Sequence, residues 1–273
     1  MMLALTRRTL LLIGILATSS GLLAQQQPPG ARGGQAPAPP PTPRAASPVD
    51  LTGVWVSVVS EDWRWRMMTP ARGDYTSVPM TPAARTVADA WDPARDEAAG
   101  EQCRAYAAPA IMRVPGRLRI SWEDDYTLRL DADAGTQTRL LQFQRPNAAA
   151  LTAPASAART WQGFSVARWE PQPGPVTGGA AFAQRVAPQT TRSLEVTTTQ
   201  IRPGYLRKNA VPFSNEAVLT EYYDRWRNGS GEWFTVTTIV RDPEYLRQPF
   251  VTTSHFKREP NDAKWDPTPC SAR

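Results

Sequence analysis

Histidine and cysteine are scarce in this chain of 273 residues, which has one histidine, His255, and two cysteines, Cys103 and Cys270. A zinc site or another soft-metal site normally needs about three or four such ligands, so the sequence predicts no metal. The chain also has no nucleophile elbow, phosphate-binding loop, metalloprotease helix or dinucleotide-binding fingerprint. We therefore expect no cofactor, and no local motif identifies an enzyme class.

A tract of concentrated positive charge is also missing. The chain has 31 basic and 25 acidic residues, and without Arg7 and Arg8, which belong to the leader described next, 29 basic residues remain. Nucleic-acid-binding proteins usually cluster much more positive charge on one face. The composition therefore predicts no nucleic-acid partner.

The N-terminal part of the chain divides into a leader and a polar segment. Arg7 and Arg8 precede a short apolar run, which predicts a signal peptide over residues 1–24 and is too short for a membrane-spanning helix. Residues 25–48 are rich in Pro, Gln, Ala and Gly, as in a disordered tether. Residues 49–273 then form a single domain. We expect an exported protein, periplasmic or secreted, by the general secretory or the twin-arginine route, with no membrane span in the mature chain.

The two cysteines predict a disulfide bond. Export would place them in an oxidising compartment, and an even number of cysteines makes pairing of Cys103 with Cys270 the expected state. The bond would tie the C-terminus to the segment that precedes the first long strands.

Two-residue alternation dominates the chain after residue 117. Leu118, Ile120 and Trp122 alternate with polar residues, as in a strand with one buried face. The sequence Asn-Gly-Ser-Gly at 228–231 predicts a hairpin that places Trp226 opposite Trp233. Strands are expected at 51–59, 117–123, 126–132, 137–144, 163–170, 193–201, 217–227, 232–241 and 250–257.

Helices are expected only early in the domain. Thr81 and Asp92 each precede a proline, a pattern typical of helix N-termini, so short helices are predicted at 82–91 and 93–102. The remaining strands show no βαβ alternation and no repeat of fixed period. Closure of such a meander removes its exposed edges. The predicted fold class is all-β, an antiparallel up-and-down (lipocalin-like) barrel with one or two short helices inserted early.

Short motifs in the domain resemble two groups of proteins. Leu-Thr-Gly-Val-Trp at 51–55 is similar to the Gly-x-Trp start of lipocalins, where the tryptophan closes one end of the barrel. A widespread group of uncharacterised exported bacterial proteins carries motifs like those at 51–55, 80–82, 103–112, 161–170 and 242–245. The histidine of that group's Pro-His-Ser-Glu motif is missing at 212–216. The second resemblance implies an exported β-rich protein and no established activity.

The stretch SEDWRWRMM, residues 60–68, alternates tryptophan with arginine. It is interpreted as a continuation of the first strand, with Trp63 and Trp65 on one face and Arg64 and Arg66 on the other. Tryptophans facing the lumen would line a site for an apolar or aromatic ligand, whereas arginines facing inwards would suit an anion. The predicted ligand-binding residues are Trp63, Trp65, Trp122, Tyr223 and Arg225.

Acid–base chemistry has three candidate residues, Glu221, Tyr223 and His255. Glu221, Tyr223 and Arg225 share one face of a predicted strand. A buried Glu221 there would form an ion pair or orient a ligand, and the ion pair is favoured because buried charges are normally paired. As a base, His255 would need a serine or a carboxylate across the sheet; otherwise it is a strand histidine that faces solvent or bonds to a neighbour.

Three functions stay open at this point. The leading hypothesis is an exported β-barrel that binds a small apolar or aromatic molecule in the cell envelope. The second is a secreted hydrolase, lyase or isomerase that uses the acid–base residues named above. The third is a structural or accessory envelope protein with a filled core and no ligand.

Overall fold

The computed structural model describes residues 40–154, 156–170 and 193–273, and its main feature is a closed barrel of nine strands. In chain order the strands are β1 (Gly53–Val58), β2 (Arg117–Asp124), β3 (Thr127–Ala132), β4 (Gln137–Phe143), β5 (Phe164–Trp169), β6 (Ser193–Thr199), β7 (Gly204–Arg207), β8 (Val211–Phe213), β9 (Val218–Asn228), β10 (Gly231–Arg241) and β11 (Phe250–Glu259). The order around the barrel is β1-β11-β10-β9-β6-β5-β4-β3-β2, and β2 closes on β1. The predicted all-β barrel is confirmed.

One pair of neighbouring strands departs from the antiparallel pattern. β4 and β5 run parallel, with Gln142 opposite Val166, and the other pairs around the barrel are antiparallel. Strand directions that alternate strictly can close a ring only when the number of strands is even. A nine-stranded barrel therefore needs one parallel pair, and the long connection after β4 supplies it.

Short helices lie between β1 and β2, namely α1 (Trp63–Arg66), α2 (Pro82–Asp89), α3 (Pro93–Ala98) and α4 (Ala108–Ile111). The predicted N-terminal caps of α2 and α3 are confirmed. The side chain of Thr81 accepts a hydrogen bond from the backbone N–H of Ala84 at 3.2 Å, and that of Asp92 accepts one from Ala94 at 3.0 Å.

The prediction of a strand over residues 60–68 is wrong. β1 ends at Val58, and α1 follows as a single helical turn over Trp63–Arg66. Asp62 has a φ of 52°, in the left-handed region, which ends the extended backbone. Alternation suggested a strand, but Arg66 turns inwards to bond partners in other parts of the chain, and those contacts determine the local conformation.

The N-terminal end of the described chain packs on the barrel. The indole N–H of Trp169 donates to the carbonyl of Pro43 at 2.9 Å, and the backbone N–H of Arg44 donates to the carbonyl of Asp125 at 3.2 Å. The compact unit therefore begins at Pro40, within the predicted tether. The predicted signal peptide and the rest of the tether lie outside the described residues.

Side chains of the barrel fill much of its interior. One apolar cluster includes Trp55, Phe234 and Phe256, with the Trp55 ring edge-on to Phe234 at 4.9 Å. A second cluster, around Leu219 and Val240, continues under α2 and the β7–β8 hairpin. Among the described helices, none is long and apolar enough to cross a bilayer.

The β9–β10 hairpin has the register predicted from its turn sequence. Trp226 lies opposite Trp233, and the two rings stack with centroids 5.4 Å apart. The alternation of β9 places Glu221 and Tyr223 inside the barrel, where both are buried. The short β7–β8 hairpin, which the sequence did not predict, lies outside the barrel.

The predicted disulfide is confirmed, since Cys103 and Cys270 are bonded across a sequence separation of 167 residues. Its loss is expected to lower the free energy of unfolding by up to about 5 kcal/mol in the chain-entropy model for so long a loop. Urea unfolding of the oxidised protein and of the Cys103→Ser/Cys270→Ser variant measures this difference. Equal unfolding midpoints would show that the bond adds no stability.

Candidate functional site

A small cavity lies beside α1, the end of α4 and β7, and three buried arginines line it. Arg66 is 6% exposed, Arg113 is 5% exposed and Arg207 is 3% exposed. The cavity has a volume of about 30 Å³, and Trp65 forms part of its wall. We call Arg66, Arg113, Arg207 and Trp65, with the cavity between them, the arginine cleft.

Arg66 donates a hydrogen bond from each of its three side-chain nitrogens and acts as a support. Its Nε donates to the carbonyl of Arg113 at 2.9 Å, and its two terminal nitrogens donate to Glu61 and to the hydroxyl of Ser57, each at 3.2 Å. The side chain therefore ties α1 to the segment after α4 and to the end of β1. This network explains why an arginine from the alternating stretch is buried.

Arg207 has donors that no described residue occupies. Its Nη1 donates to the carbonyl of Thr76 at 2.8 Å, but Nε and Nη2 have no partner among the described residues. These two N–H groups form one edge of the planar guanidinium, the edge that pairs with two oxygens of a carboxylate or a phosphate. An unpaired buried donor costs roughly 1–3 kcal/mol, and more when it is charged.

Arg113 supplies a third donor of this kind. Its Nη2 donates to Asp62 at 2.9 Å, whereas its Nη1 is buried and has no partner in the described part of the chain. Arg113 and Arg207 line the same cavity. The two arginines therefore offer three buried donor nitrogens to a bound acceptor.

Positive charge exceeds negative charge in the cleft. Burial, together with the charge of Arg113, lowers the pKa of Arg66 and of Arg207 to about 10, while Asp62 acts in the opposite direction on both. Both arginines still carry a charge at neutral pH. Glu61 and Asp62 pair with Arg66 and Arg113, whereas Asp74, which also raises the pKa of Arg207, pairs with Arg64 at 2.7 Å. These four guanidinium groups exceed the three carboxylates by one positive charge.

Aromatic rings hold the planes of the unpaired guanidinium groups. Arg207 lies over the ring of Trp65 at 4.7 Å and over that of Phe250 at 5.9 Å, and Arg113 lies over Phe250 at 5.8 Å. Such stacking uses the face of a guanidinium and leaves its N–H edge free. The arrangement can therefore receive an acceptor in the plane of Arg207.

The predicted acid–base residues Glu221 and Tyr223 lie in the barrel interior, away from this cleft. Glu221 forms a buried ion pair with Arg139 of β4, with N–O distances of 2.6 and 3.0 Å. Burial is the largest single effect on the pKa of Arg139 and lowers it, but Glu221 and Tyr223 together raise this pKa above its ordinary value. Burial also raises the pKa of Tyr223 well above its usual range, and its hydroxyl is 3.5 Å from Arg139. These groups form a polar contact inside the barrel.

Further hydroxyl groups extend this contact into a polar layer, formed by Arg139, Thr198, Glu221, Thr238 and Ser254. Arg139 also donates to Thr198 at 3.3 Å. The hydroxyls of Thr238 and Ser254 and the Nε of Arg139 have no partner among the described residues. The layer lies between the two apolar clusters of the interior.

His255 lies on the outer face of β11, so the structure does not bring it together with Glu221 and Tyr223. Its Nδ1 is 3.0 Å from the hydroxyl of Thr235, which accepts a hydrogen bond from the indole of Trp226 at 3.1 Å. Its Nε2 lies 3.5 Å from a carboxylate oxygen of Glu61. The imidazole is thus bonded to neighbours.

The predicted ligand-binding residues are scattered. Trp65 lines the arginine cleft, but Trp63 is 63% exposed on the same helix. Trp122 packs on Phe143 at 5.6 Å. Arg225 pairs with Glu232 at 2.7 Å, beside an open cavity of about 440 Å³ that it lines with Trp226.

Sequence reasoning missed Arg113 and Arg207. Neither lies in a periodic pattern that marks a face, and the β7–β8 hairpin that carries Arg207 was not predicted. One indication of this site was present in the sequence, namely the alternative interpretation of residues 60–68 in which the arginines face inwards and bind an anion. Arg66 does face inwards, although it lies on a helix and not on a strand.

Comparisons of this chain with protein-family models, with curated proteins and with solved structures found no match. The resemblances to lipocalins and to exported bacterial proteins therefore stay predictions. Among the residues that the structure describes, no group of three His, Cys, Asp or Glu side chains could hold a metal ion. Any function must be inferred from the geometry of the site.

Replacement of Glu221 by Leu is expected to destabilise the protein by about 3–5 kcal/mol, because it leaves the charge of Arg139 buried without a partner. The double variant Glu221→Leu/Arg139→Met is expected to recover much of this loss. Urea unfolding measures both, with Glu216→Gln at an exposed ion pair as the control. A double variant as unstable as the single one would show that the ion pair is not the cause.

Proposed function

We propose that this protein is an exported binding protein that holds a small organic anion in the arginine cleft. The observation that carries the proposal is the unpaired Nε–Nη2 edge of Arg207, on a side chain that is only 3% exposed. The leader sequence and the disulfide between Cys103 and Cys270 support export.

The free edge favours an anion over a neutral ligand. Charge-assisted hydrogen bonds from a guanidinium fork are roughly twice as strong as neutral ones and fix the orientation of the acceptor. A neutral acceptor would satisfy the donors but leave the excess charge of Arg66, Arg113 and Arg207 unbalanced. An anion satisfies both requirements at once.

When no anion is bound, burial of the charged arginines lowers the stability of the fold. Desolvation already lowers the pKa of Arg66 and Arg207 to about 10, which means that the fold disfavours their charged form. Since the folded-state pKa is below the ordinary value, this cost is fully present at neutral pH and declines only as the pH rises through about 10. A bound anion would offset it and stabilise the fold.

The surroundings of the cleft favour binding over catalysis. Arginines with a pKa of about 10 remain protonated at neutral pH and do not serve as bases. The nearby carboxylates of Glu61 and Asp62 are paired with Arg66 and Arg113. Glu221 and Tyr223 are enclosed in the barrel, where side chains occupy the interior. The leading hypothesis of a binding protein is therefore kept, with the ligand site moved from the lumen to the cleft.

The disulfide contributes to the rigidity of the site. Cys103 precedes the turn over Arg104–Tyr106 and α4, which lead directly to Arg113. The bond to Cys270 thus fixes the segment that carries one of the unpaired donors. A preformed site loses less conformational entropy when it binds its ligand.

The Arg207→Lys variant tests the site, because lysine keeps the charge but lacks the two-donor edge. Its affinity for sodium benzoate is expected to be about tenfold lower or worse than that of the wild type, since one charged hydrogen bond contributes roughly 1.5–3 kcal/mol. Isothermal titration calorimetry measures the affinity, and circular dichroism checks the fold.

Arg241→Lys is the matched control, because Arg241 is exposed on β10. It is expected to bind benzoate as the wild type does. A wild-type protein that binds neither benzoate nor inorganic phosphate would overturn the proposed function. Equal benzoate affinities for Arg207→Lys and the wild type would also overturn it.

A further inference from the structure

We infer that the anion is the carboxylate of a small molecule with an apolar body, and not a phosphate or a sulfate. This inference rests on the proposed function, since it assigns a chemical class to the ligand of the arginine cleft. Three features of the cleft carry it: its size, the arrangement of its donors and the nature of its walls.

The size of the cavity limits the anion. Its volume is about 30 Å³, and a water molecule needs about 10–15 Å³ of such space. The cavity therefore has room for about two oxygen atoms, which is the number in a carboxylate. The rest of the ligand would lie outside this space, along the walls of the cleft.

The donors match a planar group. The Nε and Nη2 of Arg207 lie in one plane and suit the two oxygens of a carboxylate side by side, while the Nη1 of Arg113, which lines the same cavity, is a further unpaired donor. The donor set is thus satisfied by one carboxylate.

The charge of the cleft agrees with a monoanion. Together with the neighbouring Arg64, the three arginines exceed Glu61, Asp62 and Asp74 by one charge. Lys208 also lines the cavity, but its ammonium donates to the carbonyl of Arg273 at 3.2 Å and lies 5.0 Å from the centre of the Tyr106 ring. A carboxylate balances the excess, whereas a dianion would leave a buried negative charge.

The remaining walls indicate an apolar body. Next to the three arginines, the cavity is lined by Ala105, Ala110, Val114, Pro115 and Leu206. Trp65 covers the face of Arg207 and leaves its edge free. A ligand with its carboxylate on Arg207 would therefore rest its body on aliphatic side chains. This ligand class fits the apolar or aromatic small molecule that the sequence predicted as partner.

The test compares anions that differ in one property at a time. Calorimetric titrations use sodium hexanoate, sodium acetate, sodium sulfate, inorganic phosphate and neutral hexanamide. Hexanoate is expected to bind at least about tenfold more tightly than acetate, because it adds four methylene groups, and at least about tenfold more tightly than sulfate or phosphate. Hexanamide is expected not to bind detectably. In ¹H–¹⁵N spectra, hexanoate is expected to shift the Nε–H signal of Arg207, identified by its loss in Arg207→Lys.

Each result separates this inference from the proposed function. Phosphate or sulfate binding as tightly as hexanoate would overturn the carboxylate assignment while an anion site remained. Acetate binding as tightly as hexanoate would overturn the apolar body. Hexanamide binding as tightly as hexanoate, or no binding of any anion, would overturn the proposed function itself. Hexanoate binding without a shift of the Arg207 signal, and unchanged in Arg113→Lys, would place the ligand elsewhere and overturn both.

Discussion

A charged group that leaves water must find a partner, and this constraint organises both the interior of the barrel and the cleft beside it. Arg139 on β4 and Glu221 on β9 meet across the interior, although β5 and β6 separate their strands around the barrel. Each is almost fully buried, so neither tolerates the loss of the other. The pair sets how β4 and β9 face each other, and the hydroxyls of Ser165 and Thr198 bond to one another beside it. The two apolar clusters pack on either side of this polar layer.

In the arginine cleft, the buried charges do not all have partners among the described residues. Arg139 has its carboxylate within the barrel, whereas the two-donor edge of Arg207 meets no described side chain. Arg66 and Arg113 are paired with Glu61 and Asp62, and the nearby Asp74 is paired with Arg64, so no carboxylate forms an ion pair with Arg207 in the described part of the chain. A fold that buries a charge without a complete set of partners gives up stability at that point. Such a loss of stability is typical of binding sites in which a ligand supplies the missing partner. It distinguishes the cleft from the ion pair of Arg139 and Glu221 inside the barrel, where both charges have partners.

Much of the fold could be predicted from local patterns. The alternation in β2 and β3, the turn at 228–231 and the caps at Thr81 and Asp92 each depend on residues close in sequence, and the structure has the elements that they indicate. The same approach failed at residues 60–68, where alternation without a partner strand does not define a strand. There the side chain of Arg66 bonds to the carbonyl of Arg113, 47 positions away, and this distant contact outweighs the local pattern.

By itself, the sequence determined that the chain forms a β-barrel with early helices, that β2 and β3 alternate between two faces, and that Cys103 bonds to Cys270. Those features follow from spacing, turn chemistry and the number of cysteines, all of which are local or countable. Only the tertiary structure decided that Glu221 pairs with Arg139 instead of Arg225, that nine strands close with one parallel pair, and that Arg113 and Arg207 share a cavity with Arg66. The physical reason is that long side chains from distant segments find their partners in space, so no spacing along the chain records where they meet.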